Sequence, residues 1–398
     1  MSPMIKRFSI ILTILCAAIG GSAQESTPDP SVPPVVTMYR GGTARTGAID
    51  AAPLTAQPSI AWEFPVARPI RMTPAYADGR VYIGSEAGVL YAIDAESGAE
   101  LWRFDAGASL VSTPAIDADG RLFVGALDGT VYALDAVTGA SIWSADLGGE
   151  VYASPLLLDD RVIIGSTNGQ LAAYSPDDGA RMWQIDLKGA AWSSPALASL
   201  ALVSLALVSP AETRDVLITV AVRSGSVVAV NAADGAEVWR FTVESGFDAT
   251  PAVVGEMIYI GGYDGNLYAL DARTGSEVWR HDLDAPIYAS AAVTADAVYV
   301  NALSGRAVAL DRLTGEARWT IEIGAPAYAS PVVVGTVAYF VTERDALLIA
   351  VDAETGETLW EINTGYQGDW RASSALIVGD MLWIGSNEPT RGLIALRR

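Results

Sequence analysis

Residues 267–279 read Leu-Tyr-Ala-Leu-Asp-Ala-Arg-Thr-Gly-Ser-Glu-Val-Trp, and the fold follows from how often that stretch returns. Its Asp271, Gly275 and Trp279 recur as Asp94, Gly98 and Trp102, and as Asp135, Gly139 and Trp143. They return again as Asp311, Gly315 and Trp319, and as Asp352, Gly356 and Trp360. Two copies change only the first residue: Ser175 with Gly179 and Trp183, and Asn231 with Gly235 and Trp239. From Trp102 onward the tryptophans lie 41, 40, 56, 40, 40 and 41 residues apart. Self-similarity at a period of this size marks a repeat architecture.

Around each copy the chain reads as four short strands. In the first unit they are expected near Thr73 to Tyr76, Arg80 to Gly84, Val89 to Asp94 and Glu100 to Phe104. Alternation in Val81 and Ile83 and turn signals at Asp78-Gly79, Ala87-Gly88 and Ser97-Gly98 support that division. Trp62 stands 40 residues before Trp102 without the earlier half of its unit. The missing half is at the other end, in Ser373-Ser374, Leu382 to Ser386 and Gly392 to Leu396. Pairing the Trp62 strand into the C-terminal blade closes a ring and removes a free edge. The expectation is all-β: an eight-bladed β-propeller of four-stranded blades.

The repeated residues suit a scaffold. The glycine supplies a positive φ in a hairpin turn, and the aspartate can accept backbone N–H bonds there. The tryptophans (Trp62, Trp102, Trp143, Trp183, Trp239, Trp279, Trp319 and Trp360) each offer a large apolar face to a neighbouring blade. The pattern resembles the pyrroloquinoline-quinone (PQQ) type repeat over about residues 38 to 398. Met38-Tyr39-Arg40-Gly41-Gly42 and Ala44-Arg45-Thr46-Gly47 resemble the segment that precedes such propellers. The resemblance implies one of two branches. Quinone-dependent dehydrogenases hold PQQ with calcium, often over a disulfide of adjacent cysteines. Non-enzymatic members include the accessory subunit of the outer-membrane β-barrel assembly machine, usually a lipoprotein. Here no long cofactor-holding insertion or calcium-type loop stands out.

Composition narrows the chemistry. The 398 residues include one Cys and one His and carry a formal charge of −21. A multi-histidine metal site or an internal disulfide is therefore impossible, and broad nucleic-acid binding is disfavoured. Residues 1–23 read as a secretory signal: Lys6 and Arg7, an apolar run from Phe8 to Ile19, then Gly21-Ser22-Ala23. A retained N-terminal anchor is the alternative. Cleavage near Ala23 removes Cys16 and the two cations, taking the charge from −21 to −23. Leu15 before Cys16 does not suit lipid attachment. Residues 24–37 form a proline-rich spacer, and the product is expected to be periplasmic or secreted, with no later transmembrane segment.

Function should show where equivalent positions differ. Each inner strand begins at Ser/Thr-Pro, as in Thr73-Pro74 and Ser330-Pro331, with Ser290-Ala291 and Ser373-Ser374 as variants. Two residues earlier the chain reads Arg71, Val111, Tyr152, Trp192, Asp248, Tyr288, Tyr328 and Arg371. These eight are expected to ring the mouth of the central channel. Arg71 and Arg371 would neighbour each other across the closure, Asp248 would face Arg71, and Trp370 would add a contact. Such a ring suits a planar or anionic ligand or a peptide carboxylate; alternatively it packs on itself and plugs the channel. The extra 16 residues around Ala198 to Glu212 lengthen the fourth blade's first hairpin. They repeat Ser-Leu-Ala-Leu-Val from Ser199 and Ser204, as an apolar docking element or a simple duplication. His281 has no acid–base partner beside it in the sequence. The reading favours a non-catalytic protein-binding or scaffold module, with envelope assembly as a candidate setting, without cofactor or metal. The alternatives are a shortened quinoprotein dehydrogenase with PQQ and calcium, or a sensor of small anions.

Overall fold

The computed structural model describes residues 37–49, 51–199, 216–343, 347–364 and 373–398. The expected signal (1–23), nearly all of the spacer, Trp370, Arg371 and most of the fourth-blade insertion lie outside them. The strands form eight antiparallel sheets in sequence order. Blade 1 comprises Ala75–Ala77, Arg80–Gly84, Val89–Asp94 and Glu100–Asp105. The inner strands of blades 2 to 7 are Ala115–Ile116, Leu156–Leu158, Ala196–Ser199, Ala252–Val254, Ala292–Val293 and Val332–Val334. Blade 8 has Leu376–Val378, Met381–Gly385 and Leu393–Arg397, and Ser59–Phe64 supplies its outermost strand. The ring therefore closes as the split repeat requires.

The tryptophans make the blade-to-blade contacts. Each indole Nε1 donates to a main-chain carbonyl beyond its own blade at 2.8–3.2 Å: Trp62 to Ala95, Trp102 to Ala136, Trp143 to Pro176 and Trp183 to Ala232. The series continues with Trp239 to Ala272, Trp279 to Arg312 and Trp319 to Ala353. At the closure Trp360 donates to Leu54, because the chain leading to Ser59 passes where a turn of blade 8 would otherwise stand. The turn glycine is fixed by two demands. At Gly139, φ is +73° and an added Cβ would sit 2.7 Å from the Trp102 ring. A bulge before most of these tryptophans turns the preceding residue outward, which is why Leu101 and Val278 are exposed while Trp102 and Trp279 are buried.

In the five of these turns that carry it, the aspartate accepts the N–H three residues on, as Asp135 does from Thr138 at 2.7 Å. The Ser97 and Thr138 hydroxyls together with the turn N–H groups hold Asp94 and Asp135 below their ordinary value. The Thr274 hydroxyl and N–H outweigh burial at Asp271, the Thr355 N–H lowers Asp352, and Arg318 with the turn N–H groups takes Asp311 to about 2. Folded values below the unfolded ones mean that this stabilisation is complete above about pH 4 and is lost as pH falls through the folded values. The urea midpoint should stay level from about pH 7 to 5 and drop between about pH 4 and 2. A midpoint unchanged down to pH 2 would contradict this role for the turns.

The channel is filled from an unexpected source. Residues 37–49 run through it, and their carbonyls accept N–H groups from the inner strands. Thr37 takes Ile116, Thr43 takes Leu197, Ala44 takes Val253, Thr46 takes Val293 and Gly47 takes Val333, all at 2.8–2.9 Å. Ala48–Ile49 then pairs in parallel with Val333 and Val334 as a fifth strand on blade 7. Arg40 and Arg45, 5% and 0% exposed, radiate from this axial segment. Arg45 donates to the carbonyls of Pro155 (2.6 Å), Pro195 (3.1 Å) and Tyr39 (2.9 Å). Arg40 donates to those of Ala291 (2.6 Å) and Pro331 (3.2 Å). Together these contacts reach blades 2 to 7.

Candidate functional site at the channel mouth

Above the axial segment the channel opens into a recess of about 170 Å³. Its floor is Tyr39, and its wall carries the hydroxyls of the Ser/Thr positions. From Ser154 to Ser374 each of those hydroxyls accepts the N–H of the equivalent residue one blade back, at 2.9–3.1 Å. The chain of bonds runs Thr113 to Ser154, Ser154 to Ser194, Ser194 to Thr250, Thr250 to Ser290, Ser290 to Ser330 and Ser330 to Ser374. Side chains alternate along a strand, so the residue two positions earlier also faces the axis. Arg71, Val111, Tyr152, Trp192, Asp248, Tyr288 and Tyr328 do line the mouth.

In the last blade it is Ser374, not Ser373, that accepts from Ser330. The Ser373 hydroxyl instead donates to the Met72 carbonyl at 2.8 Å. Arg371 and Trp370 lie outside the described residues.

The mouth residues are not a set of independent groups. Tyr152 stacks on Trp192 with centroids 4.1 Å apart. Arg223 lies over the Trp192 ring at 4.4 Å and donates from Nε to the Tyr263 hydroxyl at 3.1 Å. Tyr263 continues to Tyr288 at 4.8 Å, and Tyr288 to Tyr328 at 5.1 Å. This arc of rings and one guanidinium spans blades 3 to 7. Arg223 and Tyr263 are members that the sequence reading missed, because they come from a different loop of each blade. Asp248 does not stand as a counter-charge awaiting Arg71: it pairs with Arg223 at 3.5 Å, while Arg71 pairs with Glu86 at 2.5 Å.

The electrostatics suit recognition more than proton transfer. Burial and the Asp248 carboxylate push the Tyr263 phenol up, and burial raises Tyr328, with Glu343 and Tyr288 adding to it. Partial burial lowers Arg223, but Asp248 and Tyr263 outweigh it and hold the guanidinium above its ordinary value. At neutral pH the rim therefore presents protonated phenols and fixed ion pairs. His281 lies on an outer strand with Nδ1 3.0 Å from the Gly315 carbonyl, away from the mouth. Among the described residues no group of three or more His, Cys, Asp or Glu could hold a metal, and Asp248 is the one carboxylate lining the recess. Calcium takes six to eight oxygen ligands, with several carboxylates among them, so this donor set does not fit it.

The comparisons with known proteins agree with the architecture. The profile of the family described as outer membrane protein assembly factor BamB matches residues 47–119, 92–208, 192–286 and 263–397. The chain belongs to this BamB family. A search of curated protein sequences returns no match. Among solved structures, BamB from Moraxella catarrhalis is 23% identical with a TM-score of 0.67, covering 86% of this chain and 97% of that one. Quinohemoprotein alcohol dehydrogenase from Comamonas testosteroni is 17% identical with a TM-score of 0.74, covering 92% and 80%. A europium-containing methanol dehydrogenase is 17% identical with a TM-score of 0.71, covering 90% of each chain. At these identities the structural likenesses concern the propeller fold, which the BamB family shares with quinoprotein enzymes.

Proposed function

We propose that the protein is a non-catalytic scaffold of the cell envelope that binds other proteins during outer-membrane assembly, outside the cytoplasm and without PQQ or calcium. The observation that carries this reading is the family match over residues 47–397, whose description is an assembly factor. The site supports it physically. The axial segment fills the channel, and the recess above it falls below the about 300–1,000 Å³ of pockets that bury a small organic ligand. The rim is the more useful surface. Tyr, Trp and Arg dominate protein-binding hot spots, and here they form the continuous arc from Tyr152 to Tyr328.

The test is depletion of the protein in its own organism, with the levels of outer-membrane β-barrel proteins as readout. They should fall, and complementation with Tyr152→Ala plus Trp192→Ala should fail to restore them, since each such anchor is worth about 2 kcal/mol or more of binding. Purified double variant should keep a wild-type-like urea transition, which separates lost binding from lost folding. Unchanged barrel-protein levels, or saturable PQQ binding with calcium and dye-linked alcohol oxidation, would overturn the proposal.

A further inference from the structure

The hydroxyls of Ser154, Ser194, Thr250, Ser290, Ser330 and Ser374 have each given a lone pair to an N–H of the preceding blade. Among the described residues none of the six donates a hydrogen bond of its own. A hydroxyl holds one proton and two lone pairs, so all six protons are left to give. These residues are nearly enclosed, 3–6% exposed, and every one of them lines the recess above Tyr39. They belong to blades 3 to 8, so the donors stand around most of the axis and not on one wall.

The charge beneath the floor has the matching sign. Arg40 and Arg45 donate to main-chain carbonyls, and no carboxylate is among their hydrogen-bond partners in the described residues. Burial lowers both guanidiniums from their ordinary value, and the Tyr39 phenol opposes that shift. For Arg45 the charge of Arg40 adds to the lowering, which takes it to about 9 and still leaves a cation at neutral pH. Its guanidinium carbon lies 6.0 Å from the centroid of the Tyr39 ring, the ring that floors the recess. In the recess itself Arg71 pairs with Glu86, and Asp248, the one carboxylate among the described lining residues, pairs with Arg223. Buried cations without a carboxylate are poorly screened, and their field favours an anion where donors converge.

The space sets the size. At about 170 Å³ the recess far exceeds the about 10–15 Å³ that admits one water, yet it is too small for most organic ligands. Donors on many sides suit an ion with oxygens on many sides, whereas a carboxylate keeps both of its oxygens at one end. We propose that the recess is a binding site for a tetrahedral oxyanion, a phosphate group, held by the hydroxyls from Ser154 to Ser374 above the two guanidiniums of the axial segment. The site goes beyond the scaffold function and does not depend on it. An occupant would tie six blades together at the axis, just below the aromatic arc.

Isothermal titration calorimetry of the purified protein near neutral pH tests this, with sodium phosphate, glycerol 3-phosphate and sodium gluconate compared at one ionic strength. Inorganic phosphate should saturate a single site below about 1 mM, and gluconate should not bind. Glycerol 3-phosphate tells the source of the group. Binding as tight as that of phosphate marks an ester entering from the mouth, and phosphate binding alone marks the free ion. Ser194→Ala should weaken phosphate about tenfold, the loss typical of one hydrogen bond to a charged group. Ser194→Thr should keep the affinity, since Thr250 holds the equivalent position in the next blade. If Ser194→Ala fails to fold, Val111→Glu keeps every hydroxyl, adds a negative charge to the lining and should weaken binding as well. No saturable heat up to about 10 mM phosphate overturns the proposal, and so does an affinity that neither variant changes. Crystals grown in phosphate that hold only ordered water in the recess also overturn it.

Discussion

Replacing Arg45 with methionine should lower the unfolding free energy by about 4 kcal/mol, the cost typical of removing one partner from a buried charged network. Methionine is close to the arginine stem in volume, so packing is largely kept and the loss reports on the guanidinium. What is lost is a donor set for the carbonyls of Tyr39, Pro155 and Pro195. Each buried carbonyl left without a donor costs about 1–3 kcal/mol, and water has no route to a residue that is fully enclosed. Urea unfolding of wild type and variant measures the difference. Arg45→Lys should recover only part of it, since one ammonium cannot reproduce a planar fork that reaches blades 3 and 4 together. A loss below about 1 kcal/mol would show that the axial segment lies in the channel without holding it.

A larger effect is expected from a chain that begins at residue 65. It lacks both the axial segment and the Ser59–Phe64 strand, so Leu393–Arg397 becomes a bare edge ending in an open blade. The pairing Trp62↔Ala395 disappears, as do the Trp62 bond to Ala95 and the Glu63–Arg391 ion pair at 2.5 Å. A long unpaired edge beside an empty channel is a template for association. Size-exclusion chromatography should show oligomers and aggregate instead of a monomer. A synthetic peptide of residues 37–64, added in trans, should shift the protein back toward the monomer. A soluble, cooperatively melting monomer without the peptide would mean that closure of the ring contributes little.

The architecture was legible because its signals repeat. An Asp, a Gly and a Trp at a period near 40 report one unit many times over, and the orphaned Trp62 announces the closing strand. The mouth was legible by the same logic, since counting back from Ser/Thr-Pro finds Arg71 through Tyr328 at the rim. In the last blade two adjacent serines replace Ser/Thr-Pro, and the hydrogen bond from Ser330 goes to Ser374, while Arg371 lies outside the described residues. Arg40 and Arg45 were hidden for a different reason. Their blade partners are backbone carbonyls more than a hundred residues away, and every residue has a carbonyl, so no side-chain pattern announces the match. Arg223 and Tyr263 were hidden because their loops reach the rim from positions outside the series that was counted.

The ring of indole bonds around the blades has a mechanical consequence. A stack of repeats with two ends can loosen from either end, one unit at a time. The indole bonds run as a hoop around the molecule, closed by Trp360 on Leu54 and Trp62 on Ala95, and the hydroxyl bonds from Thr113 to Ser374 add inner links from blade 2 to blade 8. A hoop has no end from which to fray. Slackening one blade lengthens the path for its neighbours on both sides, so damage anywhere is shared all the way round. Such a molecule should hold its full shape up to the point of failure and then give way at once.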